Sequence, residues 1–226
     1  MSLTPTFTSP THELDYKQVN DFRWKQISPN GVCIALSIYW VIKNAKGENY
    51  LQWLDPPSAA SSKGRAYQPG QESETVKKTN QQIAVLMKKQ EQHNKAISDQ
   101  CISADISFME WAEMKIVKHQ GYGNTDLTLD GDMVTLEQKT WYEIAREVTT
   151  KDGYVLFSWR FTSGGGHVCA AHITAPTIVF FDPNYGEYKF QDRYSFRKWF
   201  RDVLMTNTYY PGSGSICARS RVLHFK

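Results

Sequence analysis

The sequence predicts an α+β domain in which a buried central helix and further helices come first and an antiparallel sheet follows. Three observations lead there. Between Val32 and Ile42 nearly every residue is apolar, and a helix that is apolar all round lies inside a core. After Gly153 the apolar pattern shortens to strand-like runs separated by turn residues. Helices followed by a meander of strands is the order of an α+β fold, not of alternating βα units.

Taken in order, residues 1–20 read as a loosely ordered, flexible lead-in. The Ser28-Pro29-Asn30-Gly31 cluster is a turn, and the helix at 32–44 follows it. Ser28 or Asn30 is placed to cap that helix, with Gly47 just past its end. Residues 55–73 are rich in Pro, Ser, Ala and Gly and read as a long loop. From 74 to 102 few breakers occur and the apolar set is sparse, which predicts one or two surface helices. Phe108, Trp111, Met114 and Val117 predict another helix, ending near Gly121. A short helix is expected at 142–149, and the segment before it fits neither period. Strands are expected at 154–161, 167–174, 177–181 and 187–190, then a helix at 195–205 with Phe196, Trp199, Phe200 and Val203 on one face. A last strand at 220–225 would close the sheet. The domain reading is a flexible segment at 1–20 and one domain at 21–226 carrying a helical insertion at about 74–120.

Composition narrows the function. The chain has 226 residues, 41% hydrophobic and 22% charged, enough to bury a core and inconsistent with disorder throughout. Lys plus Arg is 26 against 23 for Asp plus Glu, too balanced to indicate a nucleic-acid partner. The longest apolar run is far shorter than a bilayer-spanning helix. Residues 1–10 carry no basic region followed by an apolar stretch, so no Sec signal is read there, and Ser2 excludes a myristoylation signal. The four cysteines, Cys33, Cys101, Cys169 and Cys217, are widely spread, which does not describe a disulfide framework. There is no C-x-x-C pair. Cys169 and His172 have C-x-x-H spacing without a second pair, which reads as coincidence. Neither a metal nor a cofactor is expected.

Three residues carry chemistry when taken together. Cys33 begins the central helix, where the partial positive charge and unpaired N–H groups of a helix start favour a thiolate. Taken alone it reads as a small buried apolar side chain, the commonest role of a free cysteine. His167 follows Gly164-Gly165-Gly166 at the head of a strand, where small residues let another chain approach. Asp182 ends the next strand and opens the Asp182-Pro183-Asn184-Tyr185-Gly186 turn. There it could hold the Nδ1–H of an imidazole on the neighbouring strand, or simply serve as the first residue of an Asx turn. A thiol at a helix start, a histidine on one strand and an acid ending the next form a papain-like arrangement. Strand parity separates the two candidate histidines, because His167 and His172 lie an odd number of residues apart and face opposite ways. His172 reads as structural, and His12, His93, His119 and His224 lie in less promising settings.

With these residues in view the sequence resembles the YopT/AvrPphB-type cysteine peptidases, bacterial effectors with a papain-like fold. The resemblance rests on Asn30-Gly31-Val32-Cys33 with Trp40 two turns on, on Gly166-His167-Val168, and on Phe181-Asp182-Pro183-Asn184-Tyr185-Gly186-Glu187. Residues 48–150 match nothing in that pattern. The resemblance implies that Cys33 is the nucleophile, His167 the general base and acid, and Asp182 the orienting acid. The oxyanion would be held by the Cys33 N–H and by a side-chain amide upstream, Gln26, with Asn30 as the alternative. It further implies a thioester intermediate, a host or target-cell protein as substrate, and delivery into that cell by a dedicated secretion system. The same triad serves glutamine deamidases and transglutaminases, and a non-catalytic binding module would keep the fold without the chemistry. Substrate identity, cleavage site, self-processing, oligomeric state and any secretion chaperone or host activator are not legible.

Overall fold

The computed structural model describes residues 9–14, 32–54, 74–99, 116–117, 125–160, 166–209 and 216–226. The chain divides into two compact units, one formed by 1–16 with 128–226 and the other by 17–127.

In the unit of 17–127, helix α1 runs Cys33–Ala45, α2 runs Tyr50–Leu54 and α3 runs Glu74–Ser98. The apolar stretch does bury: Ile34 to Ile38 and Trp40 to Ile42 are all in the core. Val32 is the N-cap and has no side chain to offer the first turn; Ser28 and Asn30, expected to cap it, lie outside the described residues. At the other end Gly47 takes φ +67°, the left-handed conformation that closes a helix with little strain, and its N–H bonds Asn44 O at 3.0 Å. Tyr50 ties α2 to α1 through its hydroxyl, which donates to Leu36 O at 3.2 Å, while Tyr39 stacks on Trp53 with centroids 4.6 Å apart. The 74–102 region is a single helix of 25 residues. Among its described side chains Thr79, Ile83 and Met87 are buried, spaced four apart as one helix face requires. The expected loop at 55–73 lies outside the described residues, as does most of the helix expected to end near Gly121; Ile116 and Val117 sit in a turn and bend.

The other unit is built on one seven-stranded sheet: β1 (Thr11–Leu14), β2 (Val134–Thr140), β3 (Gly153–Arg160), β4 (Gly166–Thr174), β5 (Thr177–Asp182), β6 (Gly186–Phe190) and β7 (Ile216–Phe225). The strand order is β1-β6-β5-β4-β3-β7-β2, and each neighbouring pair is antiparallel. Helices α4 (Trp141–Val148) and α5 (Arg193–Trp199) belong to this unit, and α5 continues as a π-helical segment, Phe200–Tyr209.

Three features differ from the sequence reading. Thr11–Leu14 is an edge strand inside the presumed lead-in; four residues with one apolar side chain give no readable period. The ambiguous segment before α4 is β2, whose mostly polar, half-exposed surface hides its alternation. The last strand does not close an edge but lies inside the sheet between β3 and β2. Both helices of this unit are capped: α4 carries a full capping box between Thr140 and Glu143, and Asp192 Oδ1 accepts from Ser195 N at 2.7 Å to begin α5.

One sheet face carries an aromatic core in which Phe157 and Trp159 of β3, Phe180 of β5 and Phe190 of β6 meet Trp141, Ile144, Phe196, Trp199 and Phe200. Phe180 is central, its ring centroid 5.6–6.2 Å from those of Phe196, Trp199, Phe157 and Phe200. Aromatic contacts at such spacings each contribute about 0.5–1.5 kcal/mol beyond area burial, so the middle of the sheet is held rigidly. Among the described residues, no helix is long and apolar enough to cross a membrane.

Candidate active site

His167 and Asp182 come together at one end of this sheet. His167 is the second residue of β4 and Asp182 the last of β5. The β4–β5 register pairs Ala170 with Phe181; carried one residue further it sets Cys169 across from Asp182. His167, two residues on, is then the diagonal neighbour of Asp182 on the same face. Such neighbours are bridged only by long side chains. The His167 ring spans the gap with its distal nitrogen: Nε2 lies 2.8 Å from Asp182 Oδ1. The expectation of an Nδ1 contact is thereby corrected, for Nδ1 sits nearer the backbone and is not the nitrogen that meets the carboxylate.

Both groups are buried, His167 at 4% exposure and Asp182 at 0%, so the carboxylate must be satisfied from within. Besides His167, it accepts from Asn184 N at 2.7 Å and from the Tyr209 hydroxyl at 2.9 and 3.2 Å. The Asn184 contact is the Asx turn that the Asp-Pro-Asn string also allowed, so the turn geometry and the imidazole contact coexist on one carboxylate. Burial by itself pulls the His167 pKa down; the charge and hydrogen bond of Asp182, with the Cys169 sulfur beside the ring, outweigh it and hold the pKa well above the ordinary histidine value.

The ring is walled by aromatics. Trp159, its partner across β3–β4, meets it edge-on at 5.1 Å, and Tyr209 lies 5.5 Å away. Gly166 permits the first contact: a Cβ there would stand 2.9 Å from Trp159 O. The close approach that the triple glycine predicted is made at this position by the protein's own neighbouring strand; Gly164 and Gly165 lie outside the described residues. His172 is on the opposite face, stacked on Tyr154 with centroids 4.1 Å apart, and burial lowers its pKa.

Cys33 belongs to the other unit, where it is the first residue of α1, half-buried and not in a disulfide. The first turn of that helix holds no acidic side chain, so nothing in it opposes the helix-start charge that favours a thiolate. Gln26 and Asn30 lie outside the described residues.

Tyr209, Asn184, Trp159 and Cys169 are the site residues the sequence reading missed. Cys169 shares the face of His167 two residues along β4, a placement that strand parity could have signalled. His167, Cys169 and Asp182 each place one potential ligand atom within 4.8 Å of the others, an N, S and O set compatible with zinc. Here two of these atoms already hydrogen-bond each other and Asp182 has two further donors, so the cluster is satisfied as an acid–base pair. Cys169 is wholly buried and offers no sulfur to a substrate.

The fold agrees with the relatives of the chain. A family model described as Yersinia/Haemophilus virulence surface antigen, peptidase family C58, matches residues 11–215. The cysteine protease YopT of Yersinia pseudotuberculosis serotype I (strain IP32953) is 40% identical over 60 residues, 26% of this chain and 19% of that protein. YopT of Yersinia enterocolitica is 25% identical over 203 residues, 87% of this chain and 56% of that protein; the aligned part is thus little more than half of this relative's length. The crystal structure of the Pseudomonas avirulence protein AvrPphB superposes with a TM-score of 0.56 at 16% identity, covering 88% of this chain and 94% of that one. That likeness establishes the α+β, papain-like fold. The chain belongs to the C58 family of cysteine peptidases, the YopT/AvrPphB-type bacterial virulence effectors.

Proposed function

We propose that this chain is an active cysteine peptidase that cuts a host or target-cell protein through Cys33, His167 and Asp182. The observation that carries the proposal is the buried His167–Asp182 hydrogen bond at the end of β4 and β5, in a chain of a cysteine-peptidase family. The virulence relatives support delivery into another cell by a dedicated secretion system. The catalytic domain is taken as 21–226 with 74–120 as its helical insertion.

In this mechanism the Cys33 sulfur gives its proton to His167 and attacks the scissile carbonyl carbon. The oxyanion is held by the Cys33 N–H and by Gln26, with Asn30 as the alternative donor. As the C–N bond breaks, His167 passes its proton to the leaving amine, and a thioester to Cys33 remains. Water, losing a proton to His167, attacks the thioester; the C–S bond breaks and the proton returns to sulfur. Asp182 orients the ring by Nε2 and stabilises the imidazolium, so Nδ1 is the nitrogen that exchanges the proton.

N-terminal proteomics of a target-cell lysate treated with the whole chain or with Cys33→Ala tests this. New protein N-termini that require Cys33 are expected. Glutamine side chains heavier by about one mass unit, without new N-termini, would make the protein a deamidase by the same acyl chemistry. No Cys33-dependent change of either kind would leave a binding module.

A further inference from the structure

We propose that Tyr209 is a positioning residue that holds the Asp182 carboxylate, by a hydrogen bond, in the orientation that meets the His167 ring. The inference rests on the reading of His167 and Asp182 as base and orienting acid. Four observations carry it. The Tyr209 hydroxyl donates toward both carboxylate oxygens, at 2.9 and 3.2 Å. It also accepts from Asn184 Nδ2 at 3.0 Å, and a donor that is itself hydrogen-bonded is polarised toward its acceptor. Its ring packs edge-on against Trp159 at 5.6 Å and against Tyr185 at 5.5 Å, so the hydroxyl cannot swing away. Burial, followed by the Asp182 charge, pushes the phenol pKa up, and the hydroxyl stays a donor at every working pH.

The winding of the chain puts Tyr209 there. Phe200, Leu204 and Met205 are the buried residues of the π-helical segment that ends at Tyr209. At about 100° per residue an α-helix would turn position 209 to the side opposite Phe200. The wider i→i+5 winding, roughly 80° per residue, returns it to the same side after nine residues. The Thr206 and Thr208 hydroxyls donate to the carbonyls of Arg201 and Val203, five residues back, at 2.7 and 3.1 Å, and add side-chain bonds over the same spacing. π-segments are uncommon and recur at functional sites; here the consequence is a phenol delivered to a buried carboxylate.

The titratable groups facing one another here are His167 and Cys169 from β4, Asp182 from β5, Tyr185 from the following turn, and Tyr209. Without the phenol donor the carboxylate charge is shared by fewer hydrogen bonds and bears more fully on His167. The test is NMR titration of the His167 ring in the whole chain carrying Cys33→Ala, with and without Tyr209→Phe. Because this readout needs no turnover, it holds whether or not the chain cleaves protein. The His167 pKa is expected to rise by about half a unit or more, a fraction of what one hydrogen bond to a charged group is worth. Asn184→Ala, which leaves the phenol in place, should move it the same way by less, and serves if Tyr209→Phe fails to fold. Phe200→Leu loosens the same aromatic packing without touching the carboxylate and should not shift it. In the chain with Cys33 intact, kcat of Tyr209→Phe should fall about tenfold with KM nearly unchanged. A His167 titration that neither Tyr209→Phe nor Asn184→Ala moves beyond the Phe200→Leu control would overturn the assignment.

Discussion

Asp182 serves three donors with one carboxylate, and its replacement makes the sharpest statement at the scale of single residues. Asp182→Asn keeps the shape but sets an NH2 group against at least one donor and removes the charge that raises the His167 pKa. With burial left as the dominant influence, the His167 pKa should fall below its wild-type value, and turnover should drop by about 10²–10⁴-fold, the range for losing a triad acid. A stability effect accompanies it. A histidine with a raised folded-state pKa stabilises the protein fully below its unfolded value of about 6.5 and loses that contribution as pH rises through the folded value. The stability gap between wild type and Asp182→Asn should therefore be widest near pH 6 and shrink at alkaline pH, which urea titrations across pH would register. The sequence made His167 and Asp182 visible because strand parity and a turn signature are local signals. It could not tell Nε2 from Nδ1, since that depends on the diagonal offset between β4 and β5.

Among elements, the head of β4 is the most constrained. Gly166 lets this strand lie against Trp159 O, where a Cβ would be 2.9 Å away and the obstacle is backbone. Gly166→Ala must push the strand start outward, carrying His167 away from Asp182. A loss of about 1–3 kcal/mol in unfolding free energy is expected, with a fall in activity larger per unit of lost stability than that of Thr140→Ala at the α4 cap, which should cost about 1 kcal/mol. Denaturation curves and turnover measured on both variants separate the two effects. Most elements here were legible because their apolar periods are strong: α1, α4 and strands β3 to β6 fall within two residues of expectation. The strands β1 and β2 were not, being short or polar. Tyr209 was hidden for a different reason. The pattern Phe196, Trp199, Phe200 and Val203 reads as an α-helix, and only the change to π winding after Trp199 turns Tyr209 inward.

For the molecule as a whole, acid sensitivity should come in part from His224, far from the proposed chemistry. It is buried on β7, its Nε2 3.8 Å from Glu147 Oε1 and 3.5 Å from Thr150 Oγ1. Burial first, and then the nearby Lys151 charge, depress its pKa to about 4, against the opposing pull of Asp130 and Glu147. For a histidine held neutral the sign is the reverse of that for His167: its contribution is intact above about pH 6.5 and is lost as pH falls toward 4. His224→Gln should flatten the decline of thermal stability over that window; an unchanged slope would show that other groups set the acid limit. At this scale the α+β class was readable from element order, whereas the inner position of β7 was not, because a C-terminal strand's place in a sheet is set by non-local pairing.

The central claim is that the sulfur at the start of α1 and the imidazole on β4 act as a pair. Its most direct test is the pH dependence of Cys33 alkylation by iodoacetamide, followed at that cysteine by peptide mass spectrometry in the wild type and in His167→Ala. The account predicts a wild-type profile with its midpoint well below the ordinary thiol value of about 8.5, and a return to about 8.5 or above once the imidazole is removed. A profile with an ordinary midpoint in the wild type, or one that His167→Ala leaves in place, would contradict it.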